Sequence, residues 1–264
     1  EEFKSDEFDI GLLDEFSSSS IDKESDVVYV PTLHENRMIN SVLRGAGISA
    51  IDNYQDESYD LRKKVMMGRK YAGDAVCAPL AAVFGDIILA GEDFARRKRE
   101  GDPLVAGKTR VLVLDNKGTG PCRQGQYCEL HKLMLHKRSL AVPVSAVGGD
   151  IDLDSLRLVV SEEKNAFNIG LEEWALVQVY QGVILQGILH SILLRAGEVC
   201  KSREEYDAFN VDYADLKRQI FSIMESHKKP NESVLLALDK LSVTSSSAGS
   251  LGKYFLYGLH NNNG

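Results

Sequence analysis

The stretch that decides the fold runs from residue 27 to residue 51. It opens with Val27-Val28-Tyr29-Val30, is closed by Pro31, and ends with Ile48-Ser49-Ala50-Ile51. The first run is short, apolar and β-branched, which predicts a buried strand. Residues 34–45 then carry Met38, Ile39, Val42 and Leu43 at helical spacing, with Gly45 as a stop. Residues 48–51 read as a second strand. Strand, helix and strand in so few residues make a βαβ unit, with parallel strands and a right-handed crossover.

Working outward, residues 58–71 predict a polar helix and residues 73–79 a loop. Pro79 suits the first turn of a helix over residues 80–99, apolar at Val83, Phe84, Ile87, Ile88 and Phe94. Val111-Leu112-Val113-Leu114 predicts a third strand. A glycine-bearing loop over residues 115–120 leads to a helix over residues 123–136. Ala141-Val142-Pro143-Val144 reads as an edge strand, because proline cannot donate to a ladder. Residues 150–170 are irregular, with one short strand at 156–160. Residues 171–241 are mostly helical, with breaks near Gly197 and Lys228-Lys229-Pro230, and residues 254–259 suggest a last strand. The expected architecture is α/β: a parallel sheet with flanking helices, followed by a mainly helical segment. The expected organisation is an acidic linker or docking segment at residues 1–25, an α/β domain at 26–149, and a helical region at 150–264.

The chain of 264 residues is 44% hydrophobic and carries a net charge of −8, enough apolar content for one large or two small cores. The acidic balance argues against nonspecific nucleic-acid or membrane-surface binding. Arg96-Arg97-Lys98-Arg99 is answered by Glu92, Asp93, Glu100 and Asp102, so it reads as a solvated helix face. Residues 177–194 are the longest apolar stretch, but Gln178, Gln181, Gln186 and His190 interrupt it. They give the expectation of a buried helix in a soluble, cytoplasmic protein rather than a span. Trp174, Tyr180, Ile184, Ile188 and Leu189 are expected in its core. The abrupt start and the asparagine-rich end suggest an excised fragment.

Four cysteines are too few for a disulfide scaffold. Cys77 and Cys122 share one context, each in a loop ahead of a helix. Loops at the carboxyl ends of parallel strands line one crevice, and a helix N-terminus favours the thiolate. Thiolates bind soft metals and iron–sulfur clusters. Cys128 and Cys200, within or at the end of helices, read as small buried hydrophobes.

The flanks of these cysteines carry a resemblance. Gly68-Arg69-Lys70-Tyr71, Asp74-Ala75-Val76-Cys77-Ala78-Pro79 and Gly85-Asp86 resemble the first cysteine motif of the 2-hydroxyacyl-CoA dehydratase activase-related proteins. Gly118-Thr119-Gly120-Pro121-Cys122-Arg123-Gln124-Gly125-Gln126-Tyr127 is similar to that family's second motif, and Tyr29-Val30-Pro31 with Gly45-Ala46-Gly47-Ile48 adds to the likeness. The resemblance spans residues 27–145 and weakens towards 220. It implies a flavodoxin-like domain related to the dehydratase subunits, a [4Fe–4S] cluster, an ATP-hydrolysing activator as partner and an acyl-CoA as substrate. It further implies Cys77 and Cys122 as cluster ligands, and Gly120, Arg123, Gln126 and Tyr127 as residues shaping the cofactor pocket. The sequence departs from the pattern where Ala78-Pro79-Leu80 stand at positions that often hold a second cysteine. Two thiolates do not complete a cubane. Cys128, Cys200, sequence outside this fragment or a homodimer sharing two cysteines per chain remain as sources of the others.

Two further readings belong to other classes: a non-catalytic scaffold or interaction domain that has lost the cluster, and a CoA- or anion-binding module using backbone N–H groups of residues 118–122. Cys128 and His131 share a helix face and, with Cys122, form a candidate zinc set. Their plainer reading is as exposed polar helix residues. Asp150, Asp152 and Asp154 lack the glycine and glutamate of a calcium loop.

Overall fold

The structure is a computed structural model that describes residues 17–18, 20–31, 35–52, 61–72, 77–117, 123–141, 156–162, 171–226 and 229–246. It divides into two compact units. One holds residues 1–36 and 48–171, the other residues 37–47 and 172–264. The expected boundary at residue 149 lies outside the described residues.

In the first unit, five parallel strands are β1 (Ser17–Ser18), β2 (Asp26–Tyr29), β3 (Ala50–Ile51), β4 (Arg110–Lys117) and β5 (Leu156–Glu162). Their order is β1-β5-β4-β2-β3. The central register is Asp26 opposite Arg110 through Tyr29 opposite Val113. A two-pronged ion pair pins its start: Arg110 Nε and Nη2 donate to the two Asp26 carboxylate oxygens at 2.7 and 3.0 Å. Ser17–Ser18, expected within a linker, pairs with Leu158–Val159 and closes one sheet edge. The expected strand at 156–160 is present and extends to Glu162. Ala141 ends a helix instead of opening a strand; residues 142–144 and 254–259 lie outside the described residues.

Among the described residues, three α-helices belong to this unit: α2 (Leu61–Ala72), α3 (Ala78–Glu100) and α4 (Tyr127–Ala141). Pro79 sits in the first turn of α3, and Gly101, left-handed at φ 71°, ends it. Val27, Tyr29, Val111 and Val113 alternate along their strands and pack with Phe84, Ile87, Ile88 and Phe94 of α3 in one core. Val28 and Leu112, on the opposite sheet face, are also buried, as expected of parallel strands. At the far end of α3, the basic run is a salt-bridged face: Arg96 pairs with Asp93 and Glu100, and Arg97 with Asp93 and Asp102.

Helices α2 and α3 touch backbone to backbone. A Cβ on Gly68 would lie 1.7 Å from the Ala81 carbonyl oxygen, and one on Gly85 would lie 1.8 Å from that of Lys64. This approach buries the Lys64 side chain, whose Nζ pairs with Asp86 Oδ1 at 2.8 Å. The Tyr29 hydroxyl of β2 donates to the same oxygen at 2.8 Å. Lys64, Asp86 and Tyr29 are each at most 1% exposed.

Among the described residues, the second unit holds four helices: α1 (Arg37–Gly45), α5 (Glu173–Val199), α6 (Arg203–Ser226) and α7 (Pro230–Ser246). The helix of the βαβ stretch therefore packs with the helical unit. Met38 and Val42 of α1 join Leu185, Leu189, Phe209, Ile220 and Met224 in its core. Gly182 gives way to Met38, whose Cγ would lie 2.8 Å from an added Cβ. Helix α5 confirms the expected helix over residues 177–194 but corrects its burial. Leu189 is buried, and Trp174 and Ile188 are partly buried against the core. Tyr180 and Ile184, expected inside, are exposed. By length and composition this helix is apolar enough to cross a membrane, a property that a helix with two apolar seams shares.

Gly68→Ala should destabilise the protein by about 3 kcal/mol, because a methyl group forces two backbones apart. Gly197→Ala, where nothing lies within 4 Å, should be neutral or stabilise by up to about 1 kcal/mol; paired urea titrations give both values. Lys64→Met strands a buried carboxylate and should cost about 3–5 kcal/mol. Adding Asp86→Leu should recover most of that loss in the same titrations.

Candidate functional site

The site is built where α3 and α4 begin. Cys77 is the N-cap of α3, with extended backbone (φ −66°, ψ 150°), and its thiol is exposed. Tyr127, the first residue of α4, is buried, and its hydroxyl lies 3.1 Å from Cys77 Sγ. Residues 50 positions apart thus meet. The Tyr127 hydroxyl, donating to the anionic sulfur, is the leading reason the thiol titrates below the ordinary cysteine range. The Leu80 backbone N–H at the helix start acts the same way, desolvation opposes both, and the Cys77 backbone N–H and the charge of Arg123 add smaller lowering effects.

Helix α2 lies between β3 and Cys77, as the helix expected over residues 58–71 requires, so Cys77 follows a helix and not a strand end. The expected helix at 123–136 begins as a 3₁₀ turn over Arg123–Gln126 and becomes α4 at Tyr127. Arg123 and Gln126 are exposed on that turn. Gly120 and Cys122 lie outside the described residues. Cys128 is fully buried, as its reading as a small buried hydrophobe expected; His131 is fully buried too, so the reading of the pair as exposed polar helix residues is overturned. Among the described residues no three metal-binding side chains form a group.

A buried pair that the sequence reading missed backs Tyr127. Asp115, on β4, lies 2.6 Å from His131 Nδ1 of α4. The imidazole stacks on Phe84 at 5.8 Å and lies 5.9 Å from the Tyr127 ring. Its Nε2 is buried without a hydrogen-bond partner among the described residues. A carboxylate on Nδ1 orients an imidazole and leaves Nε2 as the working nitrogen. The available signal was an aspartate ending an apolar strand, but the sequence placed Asp115 in a loop. The spacing of Tyr127 and His131, one helical turn apart, was also legible.

The arrangement offers an exposed thiol whose thiolate form is favoured by a buried phenol and by the charge of a guanidinium. Such a thiolate serves as a nucleophile or as a soft-metal ligand. No family model, curated protein or solved structure matches the chain.

Because its folded-state pKa is depressed, Cys77 should stay ionised at pH values where an ordinary thiol is protonated, and lose its charge only as pH falls through the lowered value. Tyr127→Phe removes the leading stabiliser. It should shift the midpoint of Cys77 alkylation by iodoacetamide to higher pH and slow the reaction at pH 7 several-fold, read by peptide mass spectrometry.

Proposed function

We propose that the chain is a dehydratase-subunit-like domain of an acyl-CoA dehydratase activase-related protein, whose cysteine loops bind a [4Fe–4S] cluster for one-electron transfer. The observation that carries this reading is the 3.1 Å contact between Cys77 and Tyr127. It joins the two motifs on which the family resemblance rests. The strand order β3-β2-β4-β5 within the sheet supports a flavodoxin-like topology, in which ligands bind where the order reverses, outside the carboxyl ends of the two central strands. The second motif begins directly after Lys117, the last residue of β4.

The donor chemistry fits in part. A depressed-pKa, exposed thiolate is the ligand that iron–sulfur clusters take. Cys77 and Cys122 would be the ligands, with Gly120, Arg123, Gln126 and Tyr127 around them. Such a group supplies one-electron chemistry at low potential. Tyr127 favours the anionic form of the Cys77 sulfur, and Arg123 adds a smaller effect of positive charge. Two thiolates are half of a cubane's usual set; Cys128 is buried, and Cys200 belongs to the other unit. The remaining ligands come from a partner chain or a second copy. An ATP-hydrolysing activator as electron donor, an acyl-CoA as acceptor and a cytoplasmic setting complete the proposal.

The alternative, a scaffold that has lost the cluster, draws on Ala78-Pro79-Leu80. Pro79 and its neighbours build the first turn of α3 where the family often carries another cysteine. Anaerobic reconstitution of the full chain with iron and sulfide separates the two readings. The cluster reading expects stoichiometric iron and sulfide and a low-temperature EPR signal on reduction, lost in Cys77→Ser and in Cys122→Ser with circular dichroism unchanged. Iron-free protein under these conditions would leave the scaffold reading.

A further inference from the structure

Helix α5 carries two apolar seams on opposite sides. The first, with Ala175, Gln178, Gly182, Leu185, Leu189 and Ile192, alternates steps of three and four and is buried in its own unit. The second is displaced by two residues, which on an α-helix is about 200° around the axis. It reads Val177, Tyr180, Ile184, Gly187, Ser191 and Leu194, again in steps of three and four, and every member is exposed. Tyr180 is 69% exposed and Ile184 67%. No charged residue stands on it. Its only hydroxyl outside Tyr180, that of Ser191, donates back to the Gly187 carbonyl at 3.0 Å, so the polar group is satisfied within the helix.

We infer that this second seam is a homodimer interface, in which α5 of one copy packs antiparallel on α5 of another around a two-fold axis between Leu185 and Gln186. The register follows from side-chain volumes. In that pairing Ile184 faces the partner copy's glycine at 187, Tyr180 faces the serine at 191, and Val177 faces the leucine at 194. Each of the two inner layers then joins one large residue to one small one, the alternation that fills a helix–helix interface. A parallel pairing stacks Tyr180 and Ile184 on their own copies and leaves a void at Gly187, where an added Cβ meets nothing within 4 Å. The two-fold makes the surface self-complementary, as an isologous contact requires.

Area points the same way. The exposed parts of Val177, Tyr180, Ile184 and Leu194, with Val183 on the flank of the seam, sum to roughly 500 Å² by ordinary side-chain sizes. Two copies therefore bury on the order of 1,000 Å², the floor for a specific interface. The expected dimer is reversible, with a micromolar dissociation constant. The cluster reading plays no part in this inference.

Sedimentation equilibrium of the full chain in detergent-free buffer, from roughly 1 to 200 μM, tests the dimer across the expected affinity range. The expected result is a monomer–dimer equilibrium, weakened at least about tenfold by Ile184→Asp and by Tyr180→Ser, with melting temperatures near that of the parent. Tyr180→Ser keeps the test open if Ile184→Asp unfolds. Register is read by mixing Val177→Cys and Leu194→Cys chains under mild oxidation. Mass spectrometry should find the mixed 177–194 disulfide in excess over either self-pair. A monomer throughout the range, a dimer indifferent to both substitutions, a dominant 177–177 pair, or flotation with phosphatidylcholine vesicles in place of dimerisation would each overturn the inference.

Discussion

Asp86 receives Lys64 from α2 and Tyr29 from β2 on one carboxylate oxygen, and all three side chains are buried. A buried carboxylate is costly unless its partners meet it with good geometry. Meeting that condition fixes how far α2 stands from α3, and how α3 is rotated on the sheet. The glycines at 68 and 85 are the steric counterpart, since only a missing Cβ lets the two backbones come close enough for Lys64 to reach inward. Cys77 lies about two and a half turns N-terminal to Asp86 on the same helix, so the placement of the thiol follows from this anchoring.

The second anchor lies on α4. Tyr127 and His131 are one turn apart on the same helix face, and Asp115 holds the imidazole from the central strand. With Phe84 stacked against His131, the two helices share a packed contact behind the thiol. The phenol is thus positioned by burial on one side and reaches the exposed sulfur on the other. A surface cysteine without such backing would titrate near its ordinary range; here the protein supplies donors in advance of any ligand. The helical unit is built by different means, with apolar seams at three- and four-residue steps and a glycine where α1 passes α5.

Local rules made much of the chain readable. The βαβ stretch, the start of α3 at Pro79, its end near residue 99, and the breaks between α5, α6 and α7 follow from periodicity and from proline and glycine. The placing of Cys77 ahead of a helix was legible for the same reason. Less accessible were contacts between segments remote in sequence. Tyr180 and Ile184 have the spacing of core residues, and spacing alone does not say which of two apolar seams is covered. His131 looked like a polar residue on a solvated helix, and only Asp115 explains its burial.

The sequence by itself determined the class of structure, the order of the main helices and strands, and the candidate thiols, because these depend on patterns within a few residues. Tertiary structure alone decided that Tyr127 meets Cys77, that Lys64 is buried against Asp86, and that α1 packs with the helical unit. Those outcomes depend on which surfaces exclude water together, and burial of a charge or a phenol is a property of the packed partners rather than of the residue's own neighbours in the chain.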